Sequence, residues 1–139
     1  KSNSFQIGAV RSLMHEASRA ELKKMFDFIE SQIDPKGQIV IASGGNINAL
    51  KSHFGLSEPQ HLTLDELQRA YDQLCPLSVT ERIERFLLHP DRADVIVPAA
   101  EIFLNIMKFI KAQKIMIPKA GLADALILMQ HQGKTPEKY

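Results

Sequence analysis

A short β-branched run that ends in paired glycines constrains the fold of this chain more than any other segment. Residues 38–42 are too few and too rich in β-branched side chains for a helix, so they predict a buried parallel strand. Ser43, Gly44 and Gly45 follow as a turn, and a helical pattern opens directly behind them. Because glycine has no Cβ, backbone N–H groups in such a turn can approach an anion closely, and a helix N-terminus adds unpaired donors and a favourable dipole. The segment is typical of a phosphate or nucleotide site, but also of an ordinary strand-to-helix turn.

The same pattern occurs a second time near the end of the chain. Residues 114–117 predict another β-branched strand, and Lys119 and Gly121 lie in the turn that leads from it into a helix. In an open α/β sheet, ligands bind at the edge formed by the carboxyl ends of the strands. Two such turns at one edge therefore strengthen the hypothesis of a phosphate or nucleotide site.

Helices are predicted over most of the remaining chain. Apolar side chains at helical spacing predict a helix over residues 18–33. Thr63 and Ser78 each begin a capping box, with a glutamate three residues later. The segment 94–112 is apolar nearly all round, which predicts a central buried helix with Asp94 as its N-cap.

Length and composition predict one soluble domain. The 139 residues are 45% hydrophobic and 24% charged, and the net charge of +1 favours neither nucleic acid nor a membrane as a partner. The single cysteine, Cys75, excludes an internal disulfide and indicates a reducing cytoplasm, and we expect it to be buried. The five histidines show no metal-ligand spacing. We therefore expect a single cytoplasmic domain over residues 1–139, with a third short strand at residues 3–10 and a frayed tail at residues 133–139.

Several segments, taken in order, resemble the second domain of the Ppx/GppA phosphatases, which comprise exopolyphosphatases and guanosine pentaphosphate phosphohydrolases. The distinctive pair is Gly-Ala-Val-Arg at residues 8–11 and Arg-Ala-Asp-Val-Ile at residues 92–96. The other matching segments are residues 4–7, residues 43–47, Ser78 with Glu81 and Arg82, and Gly121 with Leu122. The resemblance implies an α/β, ribonuclease-H-like (actin-like ATPase) half-domain. This half-domain would be helix-rich, with a mixed sheet that has helices on both faces. Its first strands would lie upstream of Lys1.

The resemblance also implies a function, the hydrolysis of terminal phosphoric anhydride bonds in polyphosphate or guanosine pentaphosphate with the help of Mg²⁺. In this family a glycine-rich phosphate loop and a catalytic glutamate precede the region that the chain resembles. We therefore expect no catalytic residue and no metal ligand within residues 1–139. The chain is then an inactive C-terminal fragment, and its partners are the phosphate substrate and a missing N-terminal domain of the same protein.

The candidate phosphate or nucleotide ligands are Ser43, Gly44, Gly45, Asn46, Arg92, Lys119 and Gly121. Each has a structural alternative. For the glycine turn the resemblance favours contact with the ligand, and the alternative is a structural turn with Asn46 as the helix N-cap. Arg92 is explained by an ion pair with Asp91 or Asp94, and Lys119 by an ordinary solvated side chain.

Two other functions remain open. Ala123 and Ala125 stand where the family often has an arginine and a glycine, and Asn46 stands where it often has a threonine. These departures put the choice of substrate in question and motivate a non-catalytic sensor of nucleotide or polyphosphate. A sheet that lacks its first strands would expose an edge and apolar surface, which motivates a dimerisation module.

Overall fold

The computed structural model of the chain describes residues 3–9, 19–34, 38–56, 60–118 and 121–133. Its strands are β1 (Val40–Ile41), β2 (His61–Thr63) and β3 (Lys114–Met116). Its helices are α1 (Arg19–Gln32), α2 (Gly45–Phe54), α3 (Leu64–Leu74), α4 (Val79–Phe86), α5 (Pro90–Ala93), α6 (Ile96–Ile110) and α7 (Leu122–His131). None of the helices in these ranges is long and apolar enough to cross a membrane.

The three strands form one mixed sheet in the order β1-β3-β2. β1 pairs with β3 in parallel, with Val40 opposite Ile115, and β2 pairs with β3 antiparallel, with Leu62 opposite the same residue. Ile115 and Leu62 are both fully buried. The predicted parallel arrangement is therefore confirmed, and the carboxyl ends of β1 and β3 lie at the same edge of the sheet.

The extent of the strands was predicted less well than their direction. β1 is only two residues long and is not fully buried, since Val40 is half-buried and Ile41 is 67% exposed. Residues 3–9 form no strand, so the strand predicted at residues 3–10 is wrong over its described part. β2 was missed, because three residues with a single buried side chain, Leu62, are too short to show an alternating pattern.

The helix α6 is central, as its apolar sequence predicts. Its buried side chains pack against α2 and α3, and they are Ile96, Pro98, Ala99, Ala100, Leu104, Met107 and Ile110. Asp94 is not its N-cap, however. Val95 occupies that position without a side-chain cap, and Asp94 has helical backbone angles at the end of α5. The one-turn helix α5 extends to Ala93, and α6 therefore begins after Asp94.

Both predicted capping boxes are present. At the start of α3, the Glu66 N–H donates to Thr63 Oγ1 (3.2 Å) and the Thr63 N–H donates to Glu66 Oε2 (2.8 Å). At the start of α4, the Ser78 N–H and hydroxyl both donate to Glu81 Oε2 at 2.8 Å. These bonds, from the backbone first and the hydroxyl second, hold the pKa of Glu81 below its ordinary value of 4.5.

Arg82 is a charged side chain in the core, only 9% exposed. Its Nε donates to the Leu74 carbonyl (3.0 Å) and its Nη1 donates to the Ala93 carbonyl (2.9 Å). One guanidinium group on α4 therefore satisfies a carbonyl at the end of α3 and another at the end of α5.

The described surface carries an exposed cysteine and a helix with exposed apolar side chains. Cys75 is exposed rather than buried, because it lies one residue past the end of α3, beyond the inward-facing Leu74. The helix α7 has exposed apolar side chains: Leu126 is 42%, Ile127 67% and Leu128 56% exposed.

We predict that Arg82→Met lowers the free energy of unfolding by about 1–3 kcal/mol, because the buried Ala93 carbonyl loses its donor while the side-chain volume is roughly kept. The Leu74 carbonyl also loses the guanidinium but keeps the Leu77 N–H as a donor. Urea unfolding followed by circular dichroism measures the change. Arg85→Met on the same helix is the control, since the Arg85 side chain is 62% exposed. A change for Arg82→Met no larger than that of the control would contradict the structural role of Arg82.

We predict that the stability advantage of the wild type over Glu81→Gln is present at neutral pH and shrinks as the pH falls. The pKa of Glu81 is lowered in the folded chain, so its contribution is complete above the unfolded value of 4.5 and is lost as the pH falls through the folded value. Urea unfolding of both proteins from about pH 7 to about pH 3 tests this, with Glu84→Gln as the control for loss of one carboxylate from the same helix. A difference that stays constant over this range would refute it.

Candidate functional site

A cleft of about 260 Å³ opens beside the glycine turn that follows β1. Among the predicted ligands, Ser43, Gly44, Gly45, Asn46 and Arg92 line it together. The remaining lining is mostly apolar and comprises Ile7, Gly8, Ala9, Ile47, Ala99, Ile102 and Phe103. Residues that are separated by more than forty positions in the sequence thus meet at one edge of the fold.

The turn itself presents backbone donors to this cleft. Gly44 is the N-cap of α2 and has φ 125° and ψ 167°, a backbone conformation that favours glycine. Its carbonyl accepts the first helical hydrogen bond, from the Asn48 N–H at 3.1 Å. No side chain in the described ranges caps this end of α2. The N–H groups of the first turn, which the helix itself does not use, are therefore available at the cleft.

Asn46 is not the N-cap that the structural alternative required. It lies inside the first turn of α2, and its side-chain oxygen accepts a hydrogen bond from Arg92 Nη1 at 3.2 Å. The Asn46 amide therefore joins α2 to α5 instead of capping the start of α2.

Arg92 lies across the backbone of Gly45. A Cβ built at Gly45 would lie 2.6 Å from Arg92 Cζ and 3.0 Å from Arg92 Nη1, which is closer than real Cβ contacts come. Only glycine at this position lets the guanidinium approach the start of α2 so closely. The paired glycines thus have two different roles, a left-handed turn at Gly44 and a close approach at Gly45.

The ion pairs proposed as the structural alternative for Arg92 are absent from the described part of the chain. The Asp91 carboxylate lies instead 3.4 Å from His89 Nδ1. Asp94 Oδ1 is buried and has no hydrogen-bond partner among the described residues. The Arg92 guanidinium is exposed, and no described carboxylate neutralises it.

The structure describes the second glycine turn only in part. Lys119 lies outside the described residues. Gly121 is the N-cap of α7, and its N–H donates to Asp124 Oδ2 at 2.7 Å. Gly121 is not among the residues that line the cleft, so the structure brings together the first glycine turn and Arg92 without it.

The apolar side of the cleft was not predicted from the sequence. Ile102 and Phe103 belong to the apolar helix α6, and their place in its sequence is typical of core side chains. The segment 8–11 was singled out for its Gly-Ala-Val-Arg pattern, and Gly8 and Ala9 of that segment do line the cleft. The neighbouring matching segment, residues 4–7, contributes Ile7 to the same side.

The described lining of the cleft offers hydrogen-bond donors but no side chain that could activate water. It contains no carboxylate and no imidazole. Within the described ranges, no three His, Cys, Asp or Glu side chains are grouped so that they could hold a metal ion. The chemistry that the site offers is that of backbone N–H donors and one guanidinium.

The fold is similar to that of solved phosphatases. A Ppx/GppA phosphatase of Aquifex aeolicus, described as a type II variant, superimposes with a TM-score of 0.70 at 21% identity, over 92% of this chain and 48% of that chain. An exopolyphosphatase from Cytophaga hutchinsonii gives a TM-score of 0.70 at 17% identity, over 94% of this chain and 46% of that chain. At these identities the likeness shows the fold, so the predicted ribonuclease-H-like, helix-rich mixed α/β class is confirmed.

The chain spans about half the length of the solved structures that it matches. No curated protein gives a significant match to the sequence. The model of the Ppx/GppA phosphatase family, in contrast, matches residues 3–132, nearly the whole chain. The chain therefore belongs to the Ppx/GppA phosphatase family.

Proposed function

We propose that this chain is the phosphate-binding half of a phosphohydrolase that cleaves terminal phosphoric anhydride bonds of inorganic polyphosphate or guanosine pentaphosphate. The observation that carries the proposal is the meeting of the uncapped start of α2 with the Arg92 guanidinium in one cleft. Membership of a phosphatase family and the fold of a solved exopolyphosphatase support the reaction class.

Electrostatics explains why an anion suits this cleft. The N-terminal end of a helix carries a partial positive charge, and the guanidinium beside it carries a full one, so the two repel each other when nothing lies between them. No described carboxylate offsets either charge at this place. A phosphate group would turn the repulsion into two attractions, because its oxygens accept from the backbone N–H groups and from the guanidinium together.

The proposed role of these groups in the reaction is to bind and orient the substrate and to stabilise charge. Negative charge spreads over the phosphoryl oxygens in the transition state, where fixed N–H donors and a guanidinium stabilise it. The carboxylate that activates water belongs, in this proposal, to a part of the protein outside residues 1–139. Mg²⁺ would neutralise phosphate charge when bound, but the described residues offer no group of ligands that fits it, so we assign no step through the metal to this chain.

A further part of the same protein is the proposed partner of this chain. The solved relatives are about twice as long as the chain. The exposed apolar side chains of α7, Leu126, Ile127 and Leu128, are consistent with a helix that packs on another domain. A second copy of the chain is the alternative occupant of that surface.

A non-catalytic sensor is the second candidate function, and the lack of a carboxylate or imidazole in the described cleft lining agrees with it as well as with the enzyme. The two substitutions that first motivated the sensor do not lie in the cleft. Ala123 and Ala125 are exposed positions of α7 and do not line it. The distinction between enzyme and sensor therefore depends on a measurement of turnover.

We predict that Arg92→Ala weakens the binding of inorganic tripolyphosphate about tenfold or more, because a charge-assisted hydrogen bond contributes about 1.5–3 kcal/mol. Isothermal titration calorimetry at low salt measures the dissociation constant. Arg85→Ala is the matched control, since Arg85 is an exposed arginine on α4 that does not line the cleft. Equal affinity of Arg92→Ala and the control would place the anion elsewhere.

We also predict that residues 1–139 release no phosphate from polyphosphate or guanosine pentaphosphate with Mg²⁺, whereas a longer natural protein that contains them does. The reason is that the described cleft binds phosphate but holds no group that activates water. Phosphate release by the chain alone would place the catalytic carboxylate within it. Binding without release by the longer protein would favour the sensor.

A further inference from the structure

We propose that Asn46 is a positioning residue, which holds the Arg92 guanidinium over the start of α2 before the phosphate arrives. The inference rests on the proposed function, and it gives Asn46 a different role from the direct phosphate contact that its place in the glycine turn suggests. Its basis is the hydrogen bond of 3.2 Å from Arg92 Nη1 to Asn46 Oδ1.

The Asn46 side chain serves no other described structural purpose. It does not cap α2, whose N-cap is Gly44, and its one described hydrogen bond is to Arg92. The bond links two elements that lie far apart in the sequence, the long helix α2 and the one-turn helix α5. Asn46 is half-buried, whereas Arg92 is exposed, so neighbouring atoms restrict the Asn46 side chain more than that of Arg92.

Restraint of this kind favours binding through preorganisation. An exposed arginine has many rotamers, and a ligand that must order it loses affinity. The contact with Asn46 and the close packing across Gly45 restrict the guanidinium to one side of the cleft in advance. The phosphate then meets an arginine that is already placed.

The amide is suited to this role because it is neutral. A guanidinium has five N–H donors, and the Asn46 oxygen takes one of them, so the positive charge and the other donors remain for the ligand. A carboxylate at position 46 would restrain Arg92 equally well but would cancel its charge and compete with the phosphate. Restraint and charge neutralisation can therefore be separated by substitution.

A double-mutant cycle tests whether Asn46 acts through Arg92. The dissociation constant for inorganic tripolyphosphate is measured by calorimetry for the wild type, Asn46→Ala, Arg92→Ala and the double variant. We expect Asn46→Ala to weaken binding by about three- to tenfold, and the double variant to bind within about twofold of Arg92→Ala alone. If Asn46 contacted the phosphate directly, its factor would persist in the absence of Arg92, and the proposal would be overturned.

Asn46→Asp separates restraint from charge. We expect it to bind tripolyphosphate more weakly than Asn46→Ala, because the new carboxylate pairs with Arg92 and repels the anion. Asn48→Asp is the matched control, since Asn48 lies on the same helix and does not line the cleft. Binding by Asn46→Asp as tight as that of the wild type would overturn the proposal.

A measurement without any ligand tests the restraint itself. ¹⁵N relaxation of the Arg92 Nε–H group gives its order parameter, which we expect to fall in Asn46→Ala while that of Arg85 stays the same. An unchanged Arg92 order parameter would overturn the positioning role even if phosphate binds. Failure of the wild type to bind tripolyphosphate would instead overturn the proposed function, and the positioning role with it.

Discussion

The buried guanidinium of Arg82 determines where the candidate site is formed. α5 has only four residues and cannot be stable by itself, so its position depends on its neighbours. The bond of 2.9 Å from Arg82 Nη1 to the Ala93 carbonyl holds its last residue, and Arg92 is the residue immediately before. Burial makes this bond costly to break, because the carbonyl would lose its partner away from water. A core arginine therefore fixes the backbone that carries the cleft arginine.

Two positive features that repel each other are held in one place by the rest of the fold. The pairing of β1 with β3 places the Gly44 turn at an edge of the sheet, and the packing of α2 on α6 fixes the direction of the helix behind it. Arg92 belongs to α5 and approaches α2 from the other side. The close contact of its guanidinium with α2 requires a residue without a side chain at position 45. The proposed function assigns this place to an anion, because a negative charge between the two features would replace their repulsion by attraction.

Local signals predicted local structure well and tertiary structure less well. The Thr63 and Ser78 capping boxes were predicted correctly, because each depends on residues only three positions apart. The strand expected at residues 3–10 was wrong over its described part, since an apolar alternation that short is compatible with other conformations. Cys75 was expected to be buried and is exposed, because one residue past a helix end the direction of a side chain depends on how the chain leaves the helix.

The sequence by itself determined the strand-turn-helix that forms one side of the cleft. A β-branched run, two glycines and a helical pattern each act through residues that are neighbours in the sequence. The sequence also indicated Arg92, through the segment that resembles the family. Only the tertiary structure decided that Arg92 meets Asn46 rather than Asp91 or Asp94. This partner was decided by packing, since the position of α5 relative to α2 depends on buried contacts of Arg82 and α6 that no short stretch of sequence encodes.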